Sequence, residues 1–251
     1  VIAVTTFAPK HWDVYAMDML KSFSEHWPGE IHCYVDEKPA MEFPKVTYKL
    51  LRKVHGHEPF LQYCAAMSQS ACKKMGVEYG MKNDVTRGLI DGNYAYTYDA
   101  VRFCHKVFAQ LDTLRRNKGK VFWIDADSIA LKPIPEEFLE SIFNGATLSI
   151  LSRPGFYTET GFVGFDTEGD RFKDFLGAYE RVYSKGILFT LPGWHDCYAI
   201  DHAINESQVP YNDLVGGWEL GDKLEVMENT VLGEYIHHKK GNQKWQRSTS
   251  N

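Results

Sequence analysis

Short apolar runs alternate along this chain with longer stretches whose apolar residues recur three and four apart, the pattern of strands interleaved with amphipathic helices. Residues 1–7 (VIAVTTF) make the first run and read as a strand. Behind it Trp12, Tyr15, Ala16, Met19, Leu20 and Phe23 share one helical face, and Trp27-Pro28-Gly29 ends the helix. Residues 31–35 (IHCYV) form a second strand and complete a strand–helix–strand unit. A further strand is predicted at residues 46–50 and a helix at 59–75. Residues 81–96 are rich in Gly, Asn and Asp, lack periodicity and read as a loop, either beside a site or merely on the surface. Residues 97–116 predict a long helix with Val101, Cys104, Val107, Phe108 and Leu111 as its buried stripe.

The run Val121-Phe122-Trp123-Ile124 is short, β-branched and aromatic, as a buried central strand should be, and it ends abruptly in Asp125 and Asp127. Beyond it the pattern predicts a helix at 136–143 and strands at 146–151 and 155–166. Amphipathic helices are predicted at 169–183, through Phe172, Phe175, Leu176, Tyr179 and Val182, and at 194–205. This order of elements predicts an α/β fold with a mixed, mostly parallel central sheet flanked by helices. The 251 residues suit one domain, 1–251, read as halves 1–133 and 134–251.

Composition narrows the classes of function. A net charge of -5 argues against a nucleic acid held by phosphate contacts, so no nucleic-acid partner is expected. No apolar run reaches the ~20 residues of a membrane span, and no signal peptide opens the chain, although a start at Val1 leaves a longer parent protein open. Cys33, Cys64, Cys72, Cys104 and Cys197 are scattered and form no Cys-x-x-Cys pair, which predicts reduced thiols and a cytoplasmic setting. Asn205-Glu206-Ser207 is a chance-level sequon.

The candidate chemistry centres on the two aspartates. If the backbone stays extended, Asp125 and Asp127 lie on one side of the strand exit, where they repel each other unless a cation sits between them. A divalent metal with oxygen ligands satisfies that demand, while turn capping is the plainer alternative. The carboxyl ends of strands are also where α/β sheets bind ligands. The opening unit has no glycine-rich phosphate loop, so phosphates would need another partner, as a metal provides. Arg102 and Lys106, four apart on the helix before the strand, either reach that site or form a solvated face. Asp196 and Asp201 are five apart and do not stack on one helix face. The non-periodic tail with His237, His238 and several lysines suits a metal and phosphate clamp or a fraying terminus.

Phe122-Trp123-Ile124-Asp125-Ala126-Asp127-Ser128 resembles the Asp-x-Asp segment with which GT-A-fold glycosyltransferases hold a manganese-bound nucleotide sugar. Further parts follow in the order of retaining family 8. Arg102 to Lys106 is similar to that family's Arg-x-x-x-Lys helix, and residues 155–166 resemble its acceptor strand, with Glu159-Thr160-Gly161 where Asn-Ser/Ala-Gly is usual. Asp201-His202 falls where an Asp-Gln is usual, so Asp201 is favoured over Asp196 as the aspartate near the sugar. Residues 238–245 (HKKGNQKW) resemble the family's His-x(n)-Gly-x-x-Lys-Pro-Trp tail without its Pro.

The resemblance implies a hexosyltransferase using Mn2+ or Mg2+, a nucleoside diphosphate sugar, most simply a UDP-sugar, and an acceptor hydroxyl on a sugar, glycan or other molecule, with retention of configuration. It implies metal ligands Asp125, Asp127 and His238, with His237 as the competing histidine, and donor contacts from Thr5, Thr6, Phe7, Arg102, Lys106, Asp125 and Lys244. It implies catalytic-side carboxylates at Asp201, Glu159 and Asp196, with 1–133 as the nucleotide-binding half. Two rivals remain. Asp125-Ala126-Asp127-Ser128-Ile129 with Gly169 to Asp174 also imitates haloacid dehalogenase-type phosphohydrolases, and a non-catalytic nucleotide-sugar binder could use the same fold.

Overall fold

The computed structural model describes residues 1–153, 155–216 and 226–239. Seven strands form one mixed sheet in the order β10-β8-β9-β6-β1-β2-β3. They are β1 (Ile2–Thr6), β2 (Glu30–Val35), β3 (Val46–Leu50), β6 (Lys120–Ile124), β8 (Leu148–Leu151), β9 (Glu159–Asp166) and β10 (Tyr211–Asp213). Only β9 runs against its neighbours; the other pairings are parallel. The predicted mostly parallel sheet is therefore present, with β6 at its centre, between β1 and β9.

Alternation along β6 builds two cores, one on each face. Val121 and Trp123 join Val4, Tyr34, Leu111 and Phe175 on one side, under α3 (Ala100–Arg116), α5 (Phe172–Ser184) and α6 (Asp196–Ser207). Phe122 and Ile124 join Ala3, Ile31, Phe23 and Leu139 on the other, under α1 (Met17–His26) and α4 (Glu136–Ser141). A strand buried on both faces reads as a continuous apolar run, which is why this one was visible in the sequence.

Three local features depart from the predicted elements. Residues 81–96 are not a plain loop: β4 (Arg87–Ile90) and β5 (Asn93–Asp99) pair antiparallel through Asp91 and Gly92, whose φ angles of 50° and 77° suit a two-residue hairpin turn. Because β5 continues to Asp99, α3 starts at Ala100 rather than Thr97, and Asp99 caps it by accepting the Arg102 amide at 3.0 Å. Finally, the first helix opens with a wide π-helical turn at Trp12–Ala16 before it settles into α1.

Candidate active site

Strand β6 ends where the chain must leave the sheet. The Asp125 amide still bonds across to the Gly161 carbonyl at 2.9 Å, but the Ser128 amide then folds back to the Asp125 carbonyl at 3.0 Å. The exit is thus a turn, the alternative to an extended backbone, and both carboxylates still converge. A short strand, β7 (Ser128–Ala130), follows and pairs antiparallel with β11 (Ile236–His238), placing His238 opposite Ser128. The Lys239 amide bonds to the Asp127 carbonyl at 3.0 Å and locks that register. As a result His238 Nε2 lies 3.0 Å from Asp127 Oδ1 and 3.9 Å from Asp125 Oδ2.

The ligand atoms of Asp125, Asp127 and His238 all lie within 4.8 Å of one another. Two carboxylates and an imidazole are a donor set that fits a small divalent cation such as Mn2+ or Mg2+. The electrostatics agree. Burial by itself would lower the His238 pKa, but the Asp127 hydrogen bond and the charges of Asp127, Asp125 and Glu159 raise it above the ordinary histidine value. The site thus draws positive charge even to a buried ring. His237 points elsewhere, with Nδ1 3.3 Å from Glu228, and its side chain is half-exposed.

Lys106 sits beneath this group rather than in front of it. Its ammonium lies 2.9 Å from Asp125 and 2.8 Å from Asp196, and also donates to the Thr160 carbonyl at 2.5 Å. Burial works against the charge, but the two carboxylates outweigh it and raise the Lys106 pKa. The same pairing lowers that of Asp196 against its own desolvation. Trp123 Nε1 adds a 2.7 Å bond to Asp125 Oδ1, so the orientation of Asp125 is fixed from the core side.

The carboxylates face a cavity of about 270 Å³ whose walls include Thr6, Tyr15, Arg102, Glu159, Asp196 and His195. Of the residues proposed from sequence, Thr6, Arg102, Lys106, Asp125, Asp127, Glu159 and Asp196 line it. Thr5 does not: it is fully buried in β1, and its hydroxyl has no hydrogen-bond partner. Phe7 packs on Trp12 with centroids 5.7 Å apart and lines a neighbouring cavity of about 290 Å³. Asp201 also lies outside this lining and accepts the Thr158 amide at 3.2 Å, so Asp196 takes the wall position that the sequence favoured for Asp201. Glu159, read as either acceptor-side or solvent-facing, is buried, accepts the Gly161 amide at 3.0 Å and lies 3.4 Å from Arg153. Lys244 lies outside the described residues.

Several wall residues were not singled out from sequence, among them Tyr15, Tyr96, Arg153, Tyr157 and His195. Tyr15 packs against the core, as the helical face predicts, and also borders the cavity. Burial and the Asp127 charge both push its phenol pKa up. The segment 169–174, by contrast, follows β9 at the Asp166 end, which pairs with Lys120. Five residue steps along β6 separate that end from Asp125, about 16 Å at ~3.3 Å per residue. The two halves of the dehalogenase-like pattern therefore do not share a site.

Among the described residues no helix is long and apolar enough to cross a membrane, and all five cysteines are buried free thiols. The chain matches no protein-family model and has no significant match among curated proteins. Among solved structures it is similar to the apo form of mouse xyloside xylosyltransferase 1, with 12% identity, a TM-score of 0.45, and 82% of each chain covered. It is also similar to the apo structure of the bifunctional glycosyltransferase WbbM, with 13% identity and a TM-score of 0.45. That likeness spans 87% of this chain but 39% of the other, so this chain corresponds to well under half of WbbM.

Proposed function

We propose that this protein is a metal-dependent glycosyltransferase that moves a hexose from a nucleoside diphosphate sugar, a UDP-sugar in the simplest case, to an acceptor hydroxyl. The observation that carries this reading is the convergence of Asp125, Asp127 and His238 at the exit of the central strand. These residues would hold Mn2+ or Mg2+, which when bound neutralises the diphosphate and polarises it as a leaving group. Residues 1–133 supply most of the donor side, and 134–251 the acceptor side and the returning tail.

Each chain residue has a role in this scheme. Lys106 and Trp123 orient Asp125. Arg102, whose guanidinium donates to the Tyr94 hydroxyl at 3.3 Å, lines the cavity and supplies a positive charge for a phosphate. Thr6 lines the end where the base would lie, with Phe7 behind it in the adjoining cavity, and Lys244 serves as a further phosphate contact. Among the described wall residues each carboxylate is engaged: Asp125 and Asp196 with Lys106, Asp127 with His238, Glu159 with Gly161 and Arg153. The scheme we favour is retention, in which the departing phosphate takes the acceptor proton and no protein base is required. The bond from the anomeric carbon to the diphosphate breaks with its electron pair on the leaving oxygen. The acceptor oxygen then bonds to the same face, and its proton passes to the departing phosphate.

Thermal shift across a panel of nucleoside diphosphate sugars, with and without Mn2+, tests this. A ligand at ~100 times its Kd stabilises by about 2.7 kcal/mol, and stabilisation is expected only with metal present. If no nucleoside diphosphate raises the melting temperature in any metal, the reading fails.

A further inference from the structure

His195 is 1% exposed, lies in the wall of the cavity, and neither of its ring nitrogens has a hydrogen-bond partner. A buried polar group left in that state costs stability, and nothing in the scheme above uses it. Four aromatic rings surround it. Tyr96 is stacked on it at 5.6 Å and 15°, Tyr157 meets it edge-on at 4.6 Å, Tyr198 lies at 4.8 Å and Phe103 at 5.5 Å. The hairpin supplies Tyr96, and the Trp194 amide bonds to the Thr97 carbonyl at 2.7 Å, tying the hairpin to the start of α6. The Tyr96 and Tyr157 hydroxyls approach to 3.1 Å.

We infer that this aromatic enclosure around His195 is the acceptor subsite, and that it takes an uncharged sugar. A neutral imidazole offers one N–H and one lone pair, which complement hydroxyls that both donate and accept. Aromatic faces suit the C–H faces of a pyranose ring. The two ion pairs that flank the ring are closed, Lys106 with Asp196 at 2.8 Å and Arg153 with Glu159 at 3.4 Å. Location agrees as well. His195 precedes Asp196, which Lys106 bridges to Asp125, so the subsite adjoins the proposed metal group without being part of it.

Use of this sugar as acceptor rests on the transferase reading, but its binding can be measured separately. Saturation-transfer NMR with methyl glycosides of the common hexoses and pentoses, and with free uridine, is run on the full chain with Mn2+ and nucleoside diphosphate. At least one glycoside is expected to bind, and its affinity to fall at least tenfold in His195→Phe, which keeps the ring packing. Tyr96→Ala, at a residue 44% exposed and therefore safe for folding, should show a similar loss. No glycoside binding to the wild type, equal glycoside binding in both variants, or a loss confined to uridine overturns the assignment. A nucleoside diphosphate melting shift alongside any of these leaves the transferase reading standing; its absence in every metal defeats that reading whatever the glycosides do.

Discussion

Asp127 and His238 are 111 positions apart in sequence and 3.0 Å apart in space, so their separate replacement tests the site residue by residue. His238→Ala should weaken the metal dependence of nucleotide binding by at least ~10-fold, whereas His237→Ala, whose ring faces Glu228, should leave it intact. Gly161→Ala probes the same contact from the sheet: a Cβ there would meet His238 Cε1 at 2.7 Å and Nδ1 at 2.9 Å. It should therefore lower metal affinity although Gly161 contributes no ligand, and unchanged metal titration would show that the imidazole position is unimportant. Lys106→Met removes the ammonium between two carboxylates and should destabilise the fold by ~3–5 kcal/mol in urea denaturation, because buried charges lose their partner. At this scale Asp125 and Asp127 were legible because two charges break an apolar run. His195 was not, because sequence spacing gives no sign that a histidine at a helix start will end up among four rings.

Among elements, α3 links fold to site. Its capping residue Asp99 accepts the Arg102 amide at 3.0 Å and the Tyr94 hydroxyl at 2.9 Å. Asp99→Ala should cost about 1–2 kcal/mol and loosen the hairpin, seen as faster amide exchange in residues 87–99. Unchanged exchange there would mean that the cap and the hairpin are independent. The hairpin carried readable signals, Asp91-Gly92 and the alternating Tyr94, Tyr96 and Tyr98, but all three tyrosines are exposed, so the alternation marks no buried face. β11 had no local strand signal. Its three residues pair with β7, more than a hundred positions away, and the sequence pointed to this tail through its histidines and lysines and through the resemblance, not through a strand pattern.

For the whole molecule, pH bears on stability through a pair of imidazoles that do not line the cavity. His57 Nε2 and His105 Nδ1 lie 2.8 Å apart, and burial, aided by His57 and Arg87, lowers the His105 pKa from 6.5 to about 4. Between those values the unfolded chain takes up a proton that the folded one refuses. Stability is therefore full above pH ~6.5 and falls as pH drops toward 4, by roughly 3 kcal/mol from this group. Urea denaturation at pH 7 and pH 4.5 should show a smaller difference in His105→Phe than in the wild type; equal differences would remove His105 from the account. The mostly parallel sheet and the apolar run of β6 were visible in the sequence, which is why the strand exit could be named as the candidate site; the strand order and much of the cavity wall come from the structure alone. The most direct measurement is Mn2+ binding followed by electron paramagnetic resonance in the wild type, Asp127→Asn and His238→Ala. One ion should bind per chain and be lost or weakened at least ~10-fold in both variants; equal binding in all three proteins would contradict a cation held between Asp125, Asp127 and His238.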